Sequence, residues 1–585
     1  GSLPMEISSG TMKLKAGAKG SAKDPSGAAI GGTLALTGIE GTDRATGLPF
    51  RAGGTIAFDD KAVKSEGFSV SSGASSLNTS FAVALGEDRK PIRVDLEAKV
   101  RALAGDLAGL AGNDSLEASG EIDGSIGAGG SPAAFKALFA AAGGVIDPAA
   151  MRKAWDDVAL KGKLSVKKGR FGMKGQPVGI SSLDLECGLA GGGLETIKAG
   201  FVMGGRPWSV EGSARGIFPC AAELLALTKE GSGKGPGGKA LGAGALLDKV
   251  RNTPTVSLRI KGRAFDARPF SDANKKKEPA AAAGTSRTGA GGAAGEAPPP
   301  AGIAGILLLN TSFSAAIDSV ITEKAIFTAA GCEGSAVRGI MKVRKLVLDY
   351  AGGKGTGSGE IDLREYPKIV SSFDIRFSGV QADRALVRMH SLGALLKGTF
   401  SFATSGKALT GPGIDPLAML SAAGDATSTS GVLDLSGFLS PVSSAFNIDV
   451  SSLEKVDFRS WTGKYFIKDG RLTTEDWQMV SSSGKWDVAG SFGFDGSLDY
   501  RARLVIPPAV QAGMKDLSKF GDLVDLFKDD KGNIVLDFDI GGDARDPKVQ
   551  LDQTAARARA GEKLIDNLKE GGIDKLKSLF KKKDQ

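Results

Sequence analysis

A chain of 585 residues with 74 basic and 66 acidic side chains has a net charge of only +8, dispersed along its length, which argues against a nucleic-acid partner. Four Tyr and five Trp are too few for a single-strand stacking platform, and the 85 glycines follow no Gly-X-Y period, which excludes collagen. No run of ~18 apolar residues occurs, so nothing in this sequence spans a bilayer as a helix.

Residues 5–125 read as antiparallel β-structure almost throughout. Phe68 and Val70 alternate with Ser69 and Ser71, and Phe81, Val83 and Leu85 follow. Next, Ile92, Val94, Leu96, Ala98 and Val100 alternate with Arg93, Asp95, Glu97 and Lys99. That strand has one charged and one apolar face, so its sheet is wet on one side only. Residues 132–156 change period. Phe135, Leu138 and Phe139 share a helical face, and Asp147-Pro148 opens a second helix through Trp155.

Strands resume at Leu160–Val166. The following Lys167-Lys168-Gly169-Arg170-Phe171 echoes Lys468-Asp469-Gly470-Arg471-Leu472, which predicts a weak internal repeat of strand–turn–strand units behind helical inserts. Cys187, in phase with Leu183, Leu185 and Leu189, takes a core-facing strand position. With Cys220 and Cys332 it makes either three small buried hydrophobes or one disulfide and a spare thiol.

A helix is expected around Ala221–Thr228, then a glycine-rich loop, then a strand with Val256, Leu258 and Ile260 on one face. Ser271–Pro300 is rich in Ala, Gly and Pro and reads as a disordered linker or long loop. Thr311–Leu363 returns to strands. Further helices are expected at Ala385–Leu396, from Asp415-Pro416 through Ala422, and over 508–528, where Met514, Leu517, Phe520, Leu523, Val524 and Phe527 share a side.

The stretch from Leu395 to Leu551 organises the rest. Its centre, Gly463 to Leu472, climbs in alternation to Asp469-Gly470, a strong two-residue hairpin signal, and leaves in alternation. Farther on, Ile534, Leu536, Phe538 and Ile540 share one strand face, with Val535, Asp537 and Asp539 on the other. Gly398-Thr399-Phe400-Ser401-Phe402, Gly413-Ile414-Asp415-Pro416-Leu417-Ala418 and Gly431-Val432-Leu433-Asp434-Leu435 resemble the C-terminal domain of the AsmA-like family. So do the Ile467–Arg471 hairpin and the closing Asp546-Pro547-Lys548-Val549. The resemblance covers roughly the last two hundred residues.

It implies a bacterial envelope protein, held at the inner membrane by an N-terminal helix. Such a protein has a long open β-groove that moves phospholipid towards the outer membrane through the periplasm. Gly1-Ser2 reads as a cloning remnant, and the anchor is expected upstream of this sequence. The expected organisation is a β-groove segment (3–130), a helical insert with a second groove segment (131–270) and a linker (271–303). An AsmA-like groove domain (304–552) and a basic amphipathic tail (553–585) complete it. In the tail, Leu564, Ile565, Leu568, Ile573, Leu576, Leu579 and Phe580 lead to Lys581-Lys582-Lys583, fit either to dock on a membrane or to cap a sheet end.

Catalytic signals are scarce. One histidine, His390, leaves no HExxH motif, and no Cys-x-x-Cys pair exists. Gly233, Gly235 and Gly238 match GxGxxG after a helix rather than a strand. Gly238-Lys239 is followed by Ala240, where a phosphate loop needs Ser or Thr. Neither an enzyme nor a cofactor is expected.

The informative feature is a surplus of apolar strand faces. Burial is worth roughly 25 cal/mol per Å², so each face must be covered, either by a second sheet or by a ligand with hydrocarbon chains. Taken with the resemblance, the expected fold is mostly β: an elongated, curled antiparallel β-sheet groove, trough-like, with short helical inserts and a C-terminal amphipathic helix. Its lipid-binding stripe would be Phe81, Val83, Leu85, Ile92, Val94, Leu96, Val256, Leu258, Ile260, Ile534, Leu536, Phe538 and Ile540. The partners expected are phospholipid or another acyl-chain lipid, the inner membrane and an outer-membrane protein. The alternative is a structural or assembly factor for outer-membrane proteins acting through sheet edges. A β-solenoid adhesin fits less well because helical inserts break any period, and an outer-membrane barrel needs more Trp and Tyr.

Overall fold

The computed structural model describes residues 5–21, 24–43, 49–105, 116–142, 148–173, 179–220, 253–268, 307–322, 325–386, 396–411, 414–436, 454–511, 527–544 and 546–552, with a few isolated positions. The chain divides into two units. One is Gly1–Ile321 with Gly331–Met341 and Leu363–Tyr366; the other is Thr322–Ala330 with Lys342–Asp362 and Pro367–Gln585. Both are mostly β, with few and short helices, as the alternating runs predict. No helix among the described residues is long and apolar enough to cross a membrane.

The first unit holds β1 (Met5–Ser21), β2 (Asp24–Asp43), β3 (Pro49–Phe58), β4 (Ala62–Ser72), β5 (Ser75–Leu85), β6 (Pro91–Leu103) and β7 (Leu116–Gly130). Helices α1 (Pro132–Ala142) and α2 (Pro148–Asp157) follow, then β8 (Ala159–Met173), β9 (Ile180–Ala190), β10 (Gly193–Met203), β11 (Arg206–Arg215), β12 (Thr255–Asp266) and β13 (Asn310–Ile321). From β1 to β12 each strand pairs antiparallel with the next in sequence. Short turns impose this order. Between β10 and β11, Gly204 and Gly205 take φ of 59° and 74°, the left-handed pair that a two-residue hairpin needs. Ser131 caps α1, its hydroxyl accepting from Ala134 N at 3.2 Å, while Ser131 N donates to Asp157 Oδ2 at 3.0 Å.

β12 and β13 depart from the antiparallel pattern. They run parallel, with Thr255 opposite Asn310 and Asp266 opposite Ile321. A parallel pair cannot be closed by a hairpin, because the chain must travel back along the whole strand, here roughly 40 Å. The Ser271–Pro300 stretch falls in that crossover; its own structure lies outside the described residues. Leu307 and Leu308, just before β13, are fully buried.

Strands β14 (Ile326–Val337) and β15 (Ile340–Tyr350) contribute residues to both units. The second unit continues with β16 (Gly353–Asp362), β17 (Ile369–Gln381), α3 (Ala382–Leu386), β18 (Leu396–Thr410), β19 (Leu420–Asp434), β20 (Lys455–Lys468), β21 (Arg471–Ser481), β22 (Gly484–Gly493), β23 (Ser497–Ile506), α4 (Pro508–Gln511), β24 (Ile534–Asp543) and β25 (Asp546–Leu551). From β16 onward each strand again pairs antiparallel with the next. Asp469 and Gly470, at φ of 51° and 71°, form the predicted turn between β20 and β21. The core of this unit gathers Val456, Phe458, Met479, Trp486, Ala502, Leu504, Ile506, Ile534 and Phe538, with Val510 of α4 and Phe527 packed on it. Gln511 pins α4 there, Nε2 donating to Ile506 O and Gly532 O, both at 2.9 Å.

Three local expectations are corrected. Asp415-Pro416 opens a single turn, with Leu417 N donating to Asp415 Oδ1 at 2.9 Å, and β19 begins at Leu420. Pairing of Ala422 with Gly406 and Ile467 outweighs helix propensity. Lys167–Phe171 is no hairpin. It lies within β8, where Lys168 (φ 51°) and a register shift at Gly169 make a β-bulge, and Lys168 N donates to Asp184 Oδ1 at 3.3 Å. Val535, read on the strand face of Asp537 and Asp539 and away from the apolar one, is nonetheless buried, its N–H donating to Phe527 O at 2.8 Å. The helix over Ala221–Thr228, the residues from Met514 to Val524, His390 and the basic tail lie outside the described residues.

The glycine content has a packing reason. Aromatic rings occupy the space beside the glycine directly opposite: Phe58 at Gly32, Trp208 at Gly262, Phe377 at Gly355, Tyr465 at Gly424, Phe458 at Gly431 and Tyr500 at Gly490. A Cβ at any of these glycines would intrude on the ring.

Candidate functional site

Residues opposite each other in register share a face of the sheet, so the ladder can be followed side chain by side chain. In the first unit one row runs Ile39, Ala52, Val70, Leu77, Val100, Gly124, Leu164, Cys187, Ile197, Gly212, Leu258, Phe313. It crosses every strand from β2 to β13 without a polar side chain, a path on the order of 50 Å at ~4.8 Å per strand. A second sheet packed on this face would bury the row. Instead Cys187 alone is buried, Leu77 is exposed, and the rest are half-buried.

A second row, Leu14, Leu34, Ile56, Ser65, Phe81, Leu96, Ala128 and Leu160, runs parallel to the first over β1–β8. Its polar member, Ser65, is buried and donates to Thr55 O at 2.9 Å. The opposite face is charged and in part internally compensated. Arg101 Nε lies 3.1 Å from Asp123 Oδ1, and Arg259 Nη1 lies 4.0 Å from Glu211 Oε2.

The structure sorts the stripe residues expected from sequence. Phe81 faces Leu96 and Val83 faces Val94 across β5 and β6. Leu258 and Ile260 sit half-buried on the same face, and Val256 is buried between Ala214 and Thr311. Leu85 is half-buried opposite Pro91, whereas Ile92 falls in the adjoining register shift and is 60% exposed. Val94 and Leu96 lie under the helix pair, packed against Ala134, Phe135, Ala154 and Val158. This stretch is therefore covered by protein.

In the second unit Ile534 and Phe538 belong to the buried core, with Leu536 and Ile540 at its margin. The β24 residues thus serve a closed core, while Phe81, Val83, Leu258 and Ile260 line the open face. Leu77, Leu164, Ile197 and Phe313 belong to that face and escaped the sequence reading. Each sits in an alternating run, but which alternate faces its neighbours' apolar side depends on register.

Little reactive chemistry lies near this face. Among the described residues Cys187, Cys220 and Cys332 form no disulfide, and burial pushes the Cys187 and Cys332 thiols up, away from the nucleophilic thiolate. Asp537 and Asp539 are each held across the strand pair, by Arg503 at 2.7 Å and Arg501 at 3.5 Å. Among the described residues no group of three or more His, Cys, Asp and Glu is placed to hold a metal ion. His390 and the Gly233–Lys239 stretch lie outside the described residues. No protein family, curated protein or solved structure matches the chain.

Proposed function

We propose that this protein is a periplasmic lipid-transfer conduit that binds phospholipid acyl chains along the apolar face of its sheet, between the inner and outer membranes. The observation that carries the proposal is the unbroken twelve-strand row from Ile39 to Phe313, of which the fold fully buries only Cys187. Apolar contiguity on this scale calls for a covering, because an exposed patch of several hundred Å² is costly in water. A hydrocarbon chain is a suitable covering. One leaflet's chains span about 15 Å, half the bilayer core, so the row is long enough to seat several chains in succession.

In this reading acyl chains lie across the row, and head groups project past the strand ends into water. No bond is made or broken. Movement needs only that neighbouring positions bind with similar affinity, which a row of Ile, Val, Leu and Phe provides. The AsmA-like resemblance of the last two hundred residues supports the envelope setting and inner-membrane attachment.

The test is mass spectrometry of lipids extracted from the purified protein, beside Leu164→Asp and Leu258→Asp variants that keep the parent's circular dichroism. Phospholipid recovered from the parent and depleted in the variants is the expected result. A parent free of lipid after mild extraction would overturn the proposal.

One observation favours the alternative, an assembly factor acting through sheet edges. Among the described residues β1 has β2 as its only strand partner, and Ile7, Met12 and Leu14 on it are more than half exposed. Truncation of β1 that abolishes outer-membrane protein assembly but leaves bound lipid unchanged would favour that reading.

A further inference from the structure

We infer that the polar face of the first unit carries a binding site for a phosphate-bearing ligand, seated between Lys99 and Lys163. A twisted sheet is saddle-shaped, so each face is concave along one diagonal. On the polar face this concavity opens over β5–β10, with a volume of about 790 Å³. Its walls are two rows of the ladder. One row is Asn78, Lys99, Ser125, Lys163, Gly188 and Thr196. The other contains Arg101 beside Asp123, and Glu186 beside Lys198. Between them Val100, Leu164 and Cys187 turn their side chains to the apolar face, so their backbone, with that of Gly124, forms the floor.

The two walls differ in charge. In the second, Arg101 pairs with Asp123 at 3.1 Å and Glu186 stands directly opposite Lys198, so the row neutralises itself. The first contains two lysines and no acid, and neither lysine has an ion-pair partner among the described residues. Lys99 and Lys163 flank Ser125 from its two neighbouring strands, their Cα atoms ~10 Å apart, so both ammonium groups can converge on one group above the Ser125 hydroxyl.

Thr196 Oγ1 accepts from Gly188 N at 3.1 Å, which leaves its hydroxyl proton free to donate. Two cations and the Ser125 hydroxyl around one point suit a tetrahedral, multiply charged oxyanion, whose oxygens can meet all three at once, while Thr196, three strands from Ser125, faces a farther part of the ligand. The concavity exceeds a lone phosphate and fits a sugar-sized phosphate ester. The backbone layer separates it from the apolar face, so this site does not depend on the lipid reading.

The experiment is isothermal titration of the full chain with inorganic pyrophosphate. Lys99→Gln, Lys163→Gln and, as a control, Lys161→Gln are compared with the parent. Lys161 lies on the same face one row outside the walls, so its variant loses the same charge without touching the site. The expected result is saturable binding weakened at least roughly tenfold by either site variant and less than about twofold by Lys161→Gln. No binding, or equal weakening by all three, would overturn the inference. Vesicles containing phosphatidic acid assign the source. Lysine-dependent vesicle binding displaced by pyrophosphate supports the site with a lipid head group as its ligand. Vesicle indifference beside pyrophosphate binding supports it with a soluble phosphate ester.

Discussion

Replacing Gly262 with valine tests the packing that sets the thickness of this sheet. A Cβ at Gly262 would lie 2.5 Å from both Cε3 and Cζ3 of Trp208, the residue directly opposite on β11. The indole is buried, against Phe201 and edge-on to Phe265, with centroids 6.5 and 6.4 Å away. A Trp side chain buries ~150–250 Å², so at ~25 cal/mol per Å² full expulsion would cost about 4–6 kcal/mol. Half-expulsion, offset by the strand preference of valine and the stiffer unfolded chain, leaves a net loss of about 1–3 kcal/mol.

A long ladder need not unfold in one step, so the suitable assay is local. Hydrogen exchange followed by mass spectrometry, over peptides covering Arg206–Arg215 and Thr255–Asp266, should show opening faster by roughly 5- to 150-fold. The control Gly200→Val, where a Cβ meets nothing within 4 Å, should not lose protection. In a Trp208→Ala background, Gly262→Val should cost almost nothing further. If the loss persisted undiminished without the indole, the ring-on-glycine explanation would be refuted.

Leu504→Ala, at a position with 0% exposure in the core of the second unit, should destabilise β22–β24 by about 2–5 kcal/mol in the same exchange assay. Asp266 is held down to about 2, chiefly by its hydrogen bonds from Arg268, at 2.9 Å to Oδ1 and 2.6 Å to Oδ2. Because its folded value lies below its ordinary one, the stabilisation is complete above about pH 4 and is lost as pH falls towards 2. Arg268→Gln should move the carboxylate titration, read by NMR, back towards 3.8. Deleting about half of the Ser271–Pro300 stretch should change stability by only about 0.4 kcal/mol, measured by exchange at β12, because closure depends weakly on length. Loss of the β12–β13 protection would show that the deleted residues make specific contacts.

Much of the fold could be read from short-range pattern. The Arg93–Lys99 alternation, the helix beginning at Pro148 and the Asp469-Gly470 turn are each decided by residues within a few positions of one another. What failed was decided at a distance. Asp415-Pro416 has a good helix-start sequence, yet pairing of Ala422 with two neighbouring strands draws it into β19. Lys167–Phe171 matches a true hairpin in composition but lacks an opposing strand return, and becomes a bulge. The parallel β12–β13 pair leaves no local signature.

The candidate face was half legible for the same reason. Alternation identified Phe81, Val83, Leu258 and Ile260, but not that α1 and α2 cover Val94 and Leu96, nor that the β24 residues enter a closed core. The aromatic–glycine pairs were invisible because the two partners come from different strands.

In a ladder where each strand pairs with the one made just before it, most of the sheet can zip up as the chain emerges. The parallel step is different. Roughly forty residues separate β12 from β13, and closing a loop of that length costs about 2–3 kcal/mol more chain entropy than a two-residue turn. At synthesis rates of ~5–20 residues per second, the free edge of β12 stays bare for roughly 3–10 s before β13 can reach it. During that interval the nascent protein presents an unpaired strand, with Val256, Leu258 and Ile260 on it, to any neighbouring chain. A holding chaperone would act to greatest effect there, and a synthesis pause after β13 rather than before it would favour correct assembly.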